Sequence, residues 1–237
     1  GGFAIAREGR DLANALGRRE KALLGYLALS PGQSVSRDHL AEVIFQHTTG
    51  APALREAARR IRHLLGDPNI LLKDSNPLKL GGDPAAIDAL RFEELSRGND
   101  EESLTLAANL YRGELLLGVD PRSDAFEDWL RDRREQFRQV AFTAHYRLAQ
   151  LRHERGDPEG ALVAVKCLGS LRDDDEQGCQ LEMRILGSMR RYSDVRATWD
   201  RLCHVLNKNH GVVPSADTKD VYDAIAASAA TGSGRER

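Results

Sequence analysis

Basic side chains are concentrated in one segment with helical spacing, residues 54–65. They are Arg55, Arg59, Arg60, Arg62 and His63. On a helical wheel they lie opposite an apolar side, and Glu56 is the only acid among them. Arginine presents two parallel donors that match guanine in the major groove, and it also neutralises phosphates. The pattern predicts a DNA-binding helix, with a solvated charged helix face as the alternative.

Two short apolar runs follow this helix, on either side of a Ser-Asn-Pro turn. The runs are Ile70-Leu71-Leu72 and Leu78-Lys79-Leu80, and their arrangement predicts a hairpin. Lys73 and Lys79 of this hairpin would lie along the DNA backbone or in the minor groove. Gly66 ends the basic helix. Three helices and then a hairpin are the order of a winged helix-turn-helix.

Two further helices are predicted before the basic one. The first covers about residues 18–29, and the second begins after Val35, where Ser36 is a suitable N-cap. Backbone donors at Ser36 and Arg37 would hold a phosphate at the start of the second helix. A short strand is also predicted at Phe3-Ala4-Ile5.

The second half of the chain has an almost continuous helical pattern. One long amphipathic helix is predicted over residues 124–154. Beyond it, apolar residues recur 34 positions apart, which is the period of tetratricopeptide (TPR) helix pairs. The equivalent pairs include Ala161 with Val195 and Leu168 with Leu202. A plain helical bundle is the alternative. The change in pattern predicts domains at 1–88 and 89–230, and a disordered tail at 231–237.

Composition places the chain among ordinary globular proteins. It has 237 residues, 41% apolar and 30% charged, and its formal net charge is −2. Bulk charge therefore gives no argument for nucleic-acid binding, and any such argument depends on local clustering. No stretch approaches the roughly 18 apolar residues of a membrane span. We expect a cytoplasmic, nucleoid-associated protein with no membrane partner.

The sequence contains no recognisable motif for catalysis or metal binding. The sequence contains no GxxxxGK[ST], GxGxxG or HExxH motif, so we expect no enzymatic activity and no cofactor. The nearest approach to a metal-ligand cluster is Cys203-His204 with His210. Cys203 lies beside Leu202 on a predicted helix, which favours a buried thiol over a metal site.

Several segments together resemble one known family. Residues 54–67, Leu-Arg-Glu-Ala-Ala-Arg-Arg-Ile-Arg-His-Leu-Leu-Gly-Asp, are similar to the recognition helix of the Streptomyces antibiotic regulatory protein (SARP) family. Residues 21–29 with 31–37 are similar to its first helix and the turn into its second. Later segments are similar to markers of the bacterial transcriptional activator domain that follows in this family. They are residues 111–118, 126–130 and 211–215, with Tyr222.

The resemblance implies a mainly α fold with a small β component: a PhoB/OmpR-type winged helix-turn-helix followed by a TPR-like all-helical domain. It also implies a homodimeric transcriptional activator that binds direct repeats in double-stranded promoter DNA and contacts RNA polymerase. In related winged helices the loop between the second and third helices contacts the sigma subunit. Here that loop includes His47, Thr48 and Thr49.

The chain departs from the family pattern at two places that concern DNA. Glu56 is an acid where a neutral or basic side chain is common, and it would either accept from cytosine or restrain Arg59 or Arg60. The hairpin has Asn76-Pro77-Leu78 in place of the usual Gly-Tyr. A second hypothesis is therefore a helical-repeat interaction module with weak or no DNA binding. In that case Tyr192 and Trp199 are candidates for an exposed contact surface.

Overall fold

The computed structural model describes residues 1–45, 50–72 and 76–232. Over these ranges the chain is mainly helical, with four strands of two residues each. The strands are β1 (Ala6–Arg7), β2 (Arg10–Asp11), β3 (Ser34–Val35) and β4 (Leu78–Lys79). The helices are α1 (Arg18–Ala28), α2 (Arg37–Phe45), α3 (Gly50–Leu65), α4 (Asp88–Ser96), α5 (Glu101–Leu110), α6 (Asp124–Glu154), α7 (Pro158–Leu171), α8 (Glu176–Ser188), α9 (Tyr192–His210) and α10 (Ala216–Gly232).

The chain divides into two compact units. The first consists of Gly1–Glu94 and Asn109–Arg138, and the second of Leu95–Ala108 and Gln139–Arg237. This division differs from the boundary near residue 88 expected from the change in sequence pattern. The reason is that Phe126 in the first half of α6 is fully buried and its ring lies beside that of Tyr26 of α1, with ring centroids 6.4 Å apart. Because these aromatic rings pack together, the start of α6 belongs to the first unit.

Three helices build the core of the first unit. Their inward side chains are almost completely buried: Leu23 and Leu27 of α1, Leu40 and Ile44 of α2, and Leu54 and Ile61 of α3. The apolar stripes recur every three or four residues, so one face of each helix is turned inward. Ser36 caps α2 as the sequence predicted, since its hydroxyl accepts a hydrogen bond from the amide of His39 at 3.3 Å.

The strands form small antiparallel pairs. β3 pairs with β4, and the predicted hairpin is present because Leu71 pairs with Leu80 and the amide of Leu72 donates to the carbonyl of Lys79 at 3.1 Å. The strand predicted at residues 3–5 is wrong. β1 begins at Ala6 and pairs with β2 around a Glu8-Gly9 turn, where Gly9 has φ +77°. The turn determines which residues of β1 and β2 pair, and the strand therefore begins at Ala6 and not at Phe3.

Helix pairs build the second unit. α7 starts at Pro158 and α9 at Tyr192, which confirms the predicted 34-residue period. The equivalent positions Ala161 and Val195 are both buried. Asp157 caps α7 by accepting from the amide of Gly160 at 2.9 Å, and Asp175 caps α8 in the same way. Short capped turns thus reverse the chain between stacked helices.

The last helix continues further than the sequence indicated. α10 includes residues 231 and 232, which had been assigned to a disordered tail, while residues 233–237 lie outside the described part of the chain. Alanines dominate residues 224–230, and alanine has the highest helix propensity of any residue. Local propensity is enough to extend the helix there.

One buried histidine predicts how stability depends on pH. His145 of α6 is 7% exposed, its Nδ1 atom has no hydrogen-bond partner among the described residues, and burial lowers its pKa. The unfolded chain therefore binds more protons than the folded chain as the pH falls through 6.5, and the free energy of unfolding decreases. His145→Leu should flatten this decrease in urea titrations between pH 8 and pH 5.

The matched control is His204→Leu, because His204 is exposed. That variant should keep the slope of the native chain. Equal slopes for native chain and H145L would show that the buried imidazole does not determine the acid sensitivity.

Candidate nucleic-acid interface

The basic helix begins earlier than its apolar pattern suggested. α3 starts at Gly50, which is buried against α2: a Cβ there would lie 2.8 Å from the Cβ of Ala41. Only glycine allows this close approach without displacing the neighbour. Pro52 falls in the first turn, where proline is tolerated because the amide there has no partner within the helix. The helix ends at Leu65, where Gly66 has φ +59° and the guanidinium of Arg7 donates to the carbonyl of Leu65. Both ends of α3 are thus fixed by other parts of the first unit.

Two of the predicted groove-facing side chains lie on the exposed face of α3. Arg55 and His63 are exposed, and the Nε atom of Arg55 donates to the carbonyl of Ala51 in the same helix at 3.3 Å. That contact uses one of the five donors of the guanidinium. Arg55 therefore keeps donors for an external acceptor.

Arg59 is also exposed, and it is bound to the one acid of this helix. Its Nε and Nη2 atoms donate to the two carboxylate oxygens of Glu56 at 2.8 and 2.6 Å. These hydrogen bonds lower the pKa of the Glu56 carboxyl, so Glu56 is charged at neutral pH. Of the two contacts proposed for Glu56 from the sequence, restraint of an arginine is the one this structure shows.

Arg60 points to the first helix instead of the row formed by Arg55 and Arg59. Its Nη1 atom lies 3.2 Å from Oε1 of Glu20, whose side chain is only 8% exposed. A carboxylate with so little access to water needs a cationic partner. Arg60 is thus exposed, but it has a structural contact with α1 that the helical wheel did not indicate.

Arg60→Ala should reduce the free energy of unfolding by about 1–2 kcal/mol, because it leaves the buried Glu20 carboxylate unpaired. Urea denaturation measures this. Arg131→Ala is the control, since Arg131 forms an ion pair with Asp128 in which both side chains are largely exposed, and it should change stability by less than about 0.5 kcal/mol. Equal losses in the two variants would contradict the structural role of Arg60.

Arg62 joins the basic helix to the hairpin. It is half-buried, and its Nη1 atom donates to the carbonyl of Leu71 at 3.2 Å. The hydrogen bond fixes the first hairpin strand beside the last turns of α3. Arg62 thus positions the wing in this structure, which the helical wheel alone did not indicate.

The start of α2 already has partners for two of its amides. The amide of Arg37 lies 3.4 Å from Oδ1 of Asn76, in the hairpin turn, and the amide of His39 donates to Ser36. A phosphate bound at Ser36 and Arg37 would have to replace the Asn76 contact or share it. The wing and the N-terminus of α2 are therefore held together before any ligand binds.

Five of the residues predicted to contact DNA or RNA polymerase remain, and one of them lies in the described part of the chain. Lys79 is exposed on β4, in register with Ser34. The other four residues fall outside the described ranges: Lys73, His47, Thr48 and Thr49.

The contacts of Glu20 and Asn76 were not predicted from the sequence. Glu20 occupies the apolar phase of α1, three and seven residues before the buried Leu23 and Leu27. An acid in that phase is a usable signal for a buried ion pair. The contact of Asn76 with Arg37 joins positions 39 residues apart, and the sequence carries no local signal for it.

The aromatic candidates for a docking surface lie in the second unit. Trp199 is partly buried and stacks on Tyr222 of α10, with ring centroids 4.8 Å apart and an interplanar angle of 14°. Tyr192 is also partly buried. Both candidate side chains are therefore only partly exposed.

The candidate thiol and histidine ligands have other surroundings. Cys203 is partly buried, and Nε2 of His210 lies 2.7 Å from Oδ2 of Asp174. Among the described residues, no group of three or more histidine, cysteine, aspartate or glutamate side chains is arranged to hold a metal ion. Within the same ranges, none of the helices combines the length and hydropathy of a membrane span.

Comparison with known proteins agrees with this architecture. The family described as "bacterial transcriptional activator domain" matches residues 87–226. Among solved structures, Mycobacterium tuberculosis EmbR in complex with a low-affinity phosphopeptide is similar, with a TM-score of 0.77 and 16% sequence identity. The match covers 96% of this chain and 64% of the EmbR chain. No curated protein matches the sequence. Since the domain match extends over more than half of the 237 residues, the chain belongs to the bacterial transcriptional activator domain family.

Proposed function

We propose that this regulator binds double-stranded DNA in a sequence-specific manner and activates transcription. The observation that supports this most strongly is the exposed row on α3, formed by Arg55, Arg59 and His63. The opposite side of the helix is buried in the first unit, so the row is the side that remains available. A helix held in this way, with a wing beside it, has the geometry that enters a major groove.

The contacts made by the α3 arginines are compatible with such docking. Their described partners are Ala51, Glu56, Glu20 and Leu71, and all four lie within residues 1–94. The row therefore keeps a cationic surface, and its donors are shared with groups of the winged helix itself.

In the proposed complex the residues have three different roles. Arg55, Arg59 and His63 face the bases, and Lys79 contacts the neighbouring phosphate backbone together with Lys73. Ser36 and Arg37 lie near a phosphate at the start of α2. Arg60 and Arg62 act through structure: they hold α1 and the wing, as their contacts with Glu20 and Leu71 indicate.

Membership in the family supports a proposal for the quaternary arrangement and the partner protein. We propose that two copies of the chain bind direct repeats, and that RNA polymerase is contacted by the loop with His47, Thr48 and Thr49. The role of the protein in this scheme is binding, without catalysis. Two head-to-tail modules on one face of the duplex need repeats about one helical turn apart, roughly 11 base pairs.

In vitro selection from a random duplex pool tests the proposal. The full chain should enrich one short motif, and with long inserts that motif should appear twice in the same orientation at the spacing given above. Affinity for the selected duplex should fall steeply with salt, because phosphate contacts release counterions. A pool that remains random after repeated rounds, with no salt-dependent retention, would contradict sequence-specific binding.

A further inference from the structure

The pairing between Glu56 and Arg59 is the feature of α3 that the proposed docking does not yet use. The two residues are three positions apart on the exposed face, with side chains 54% and 65% exposed. An exposed pair of this kind contributes little to folding stability. Because the pair lies in the middle of the proposed DNA-binding row, its main effect concerns DNA recognition.

The geometry of the pair determines which donors of Arg59 remain. Nε and Nη2 each donate one hydrogen to the carboxylate, at 2.8 and 2.6 Å. A guanidinium has five N–H donors, so both hydrogens on Nη1 and the second hydrogen on Nη2 are left. One hydrogen on Nη1 and one on Nη2 point outward in parallel at the end of the guanidinium. Glu56 thus occupies the side of the guanidinium and leaves the end that matches the O6 and N7 atoms of guanine.

The pairing also lowers the entropic cost of a contact between that end of the guanidinium and a base. A free arginine side chain has many rotamers and loses this freedom when it contacts a base. In this chain part of the ordering has already occurred through the two hydrogen bonds to Glu56. The carboxylate has an opposite effect on phosphates, because its negative charge repels every duplex whatever the sequence.

We propose that Glu56 is a positioning residue for specificity: its carboxylate holds Arg59 with the end of the guanidinium directed at one guanine, and its charge weakens binding to DNA of every sequence. This inference rests on the proposed function, and it adds the base that Arg59 recognises and the reason for an acid in a cationic row. The positioning of Arg59 favours only the duplex with the recognised guanine, whereas the charge of Glu56 opposes binding to every duplex, so the two effects are separable by experiment.

The test uses the full chain and the duplex obtained by selection. Glu56→Gln should raise affinity for non-specific DNA about threefold at low salt, because one repulsive charge is removed. The same variant should lower discrimination between guanine and the other bases at one position by about tenfold. Glu56→Asp should retain most of the discrimination, because an aspartate holds an arginine three residues away elsewhere in this chain, in the Asp128–Arg131 pair.

Two controls identify the cause. Glu135→Gln removes a carboxylate that pairs with Arg138 three residues later in α6, and it should leave discrimination unchanged. In an Arg59→Ala background, Glu56→Gln should have no further effect on discrimination. In the free protein, NMR should show an exchange-protected Nε–H of Arg59 that is lost in E56Q, a measurement that needs no DNA.

The opposing results are equally specific. If E56Q increased specific and non-specific affinity by the same factor, Glu56 would be only a repulsive charge. If E56Q reduced discrimination equally with Arg59 present or absent, Glu56 would recognise a base itself. Either result overturns the positioning role while wild-type DNA recognition stands. A wild-type chain that selects no motif would overturn the proposed function, and this inference with it.

Discussion

Replacement of the two arginines proposed to face the bases, Arg55→Ala with Arg59→Ala, should weaken binding to the selected duplex at least about 30-fold. Each arginine that pairs with a guanine contributes about 1–3 kcal/mol, so loss of both costs about 2–6 kcal/mol when the contacts are independent. Fluorescence anisotropy titrations at fixed salt measure the change. Folding should be little affected, because both side chains are exposed and neither fills the core.

The control for this prediction is Arg131→Ala with Arg138→Ala, which removes the same total charge from α6. A loss of affinity in the control as large as that in R55A/R59A would assign the effect to net charge. It would then contradict the docking of α3 in the groove.

Phe126→Ala should produce the largest loss of stability among the changes considered for the first unit. Phe126 is fully buried, and its ring lies 5.2 Å from that of Trp129 and 6.4 Å from that of Tyr26. Removal of a buried phenylalanine costs about 3–5 kcal/mol, since both the transfer energy and a cavity contribute. Thermal and urea denaturation should both show the loss.

Leu117→Ala is the matched control in the same unit, because Leu117 is 60% exposed. It should change stability by less than about 0.5 kcal/mol.

A second consequence concerns where the winged helix ends as a folding unit. A fragment of residues 1–94 lacks Phe126 and should be less stable than the full chain, and equal stability of the two would show that α6 contributes nothing to the first unit.

Local sequence signals predicted the elements that depend on local interactions. The start of α1, the Ser36 cap of α2 and the limits of the long helix at residues 124 and 154 agree with the pattern. The 34-residue period places the starts of α7 and α9 correctly. These features follow from helical periodicity, capping residues and turn residues, all of which lie close together in the chain.

Distant contacts determine the features that the sequence did not predict. The helical wheel grouped Arg60 and Arg62 with Arg55, because it contains no information about Glu20 of α1 or the carbonyl of Leu71. The assignment of the start of α6 to the first unit depends on packing between aromatic rings about 100 positions apart in the sequence. Periodicity identified the cationic face, and tertiary structure distinguishes Arg60 and Arg62, which contact α1 and the hairpin, from Arg55 and Arg59, whose partners lie within α3.

The most direct test of DNA binding by the exposed face of α3 is site-specific photocrosslinking with the full chain. A photoreactive phenylalanine analogue in place of His63, on the exposed face of α3, should form an adduct with the bases of the selected duplex. The same analogue in place of His204, exposed on α9, should form none. Adducts at position 204 with none at position 63, while the duplex remains bound, would contradict the account and favour an interaction module whose winged helix does not bind DNA.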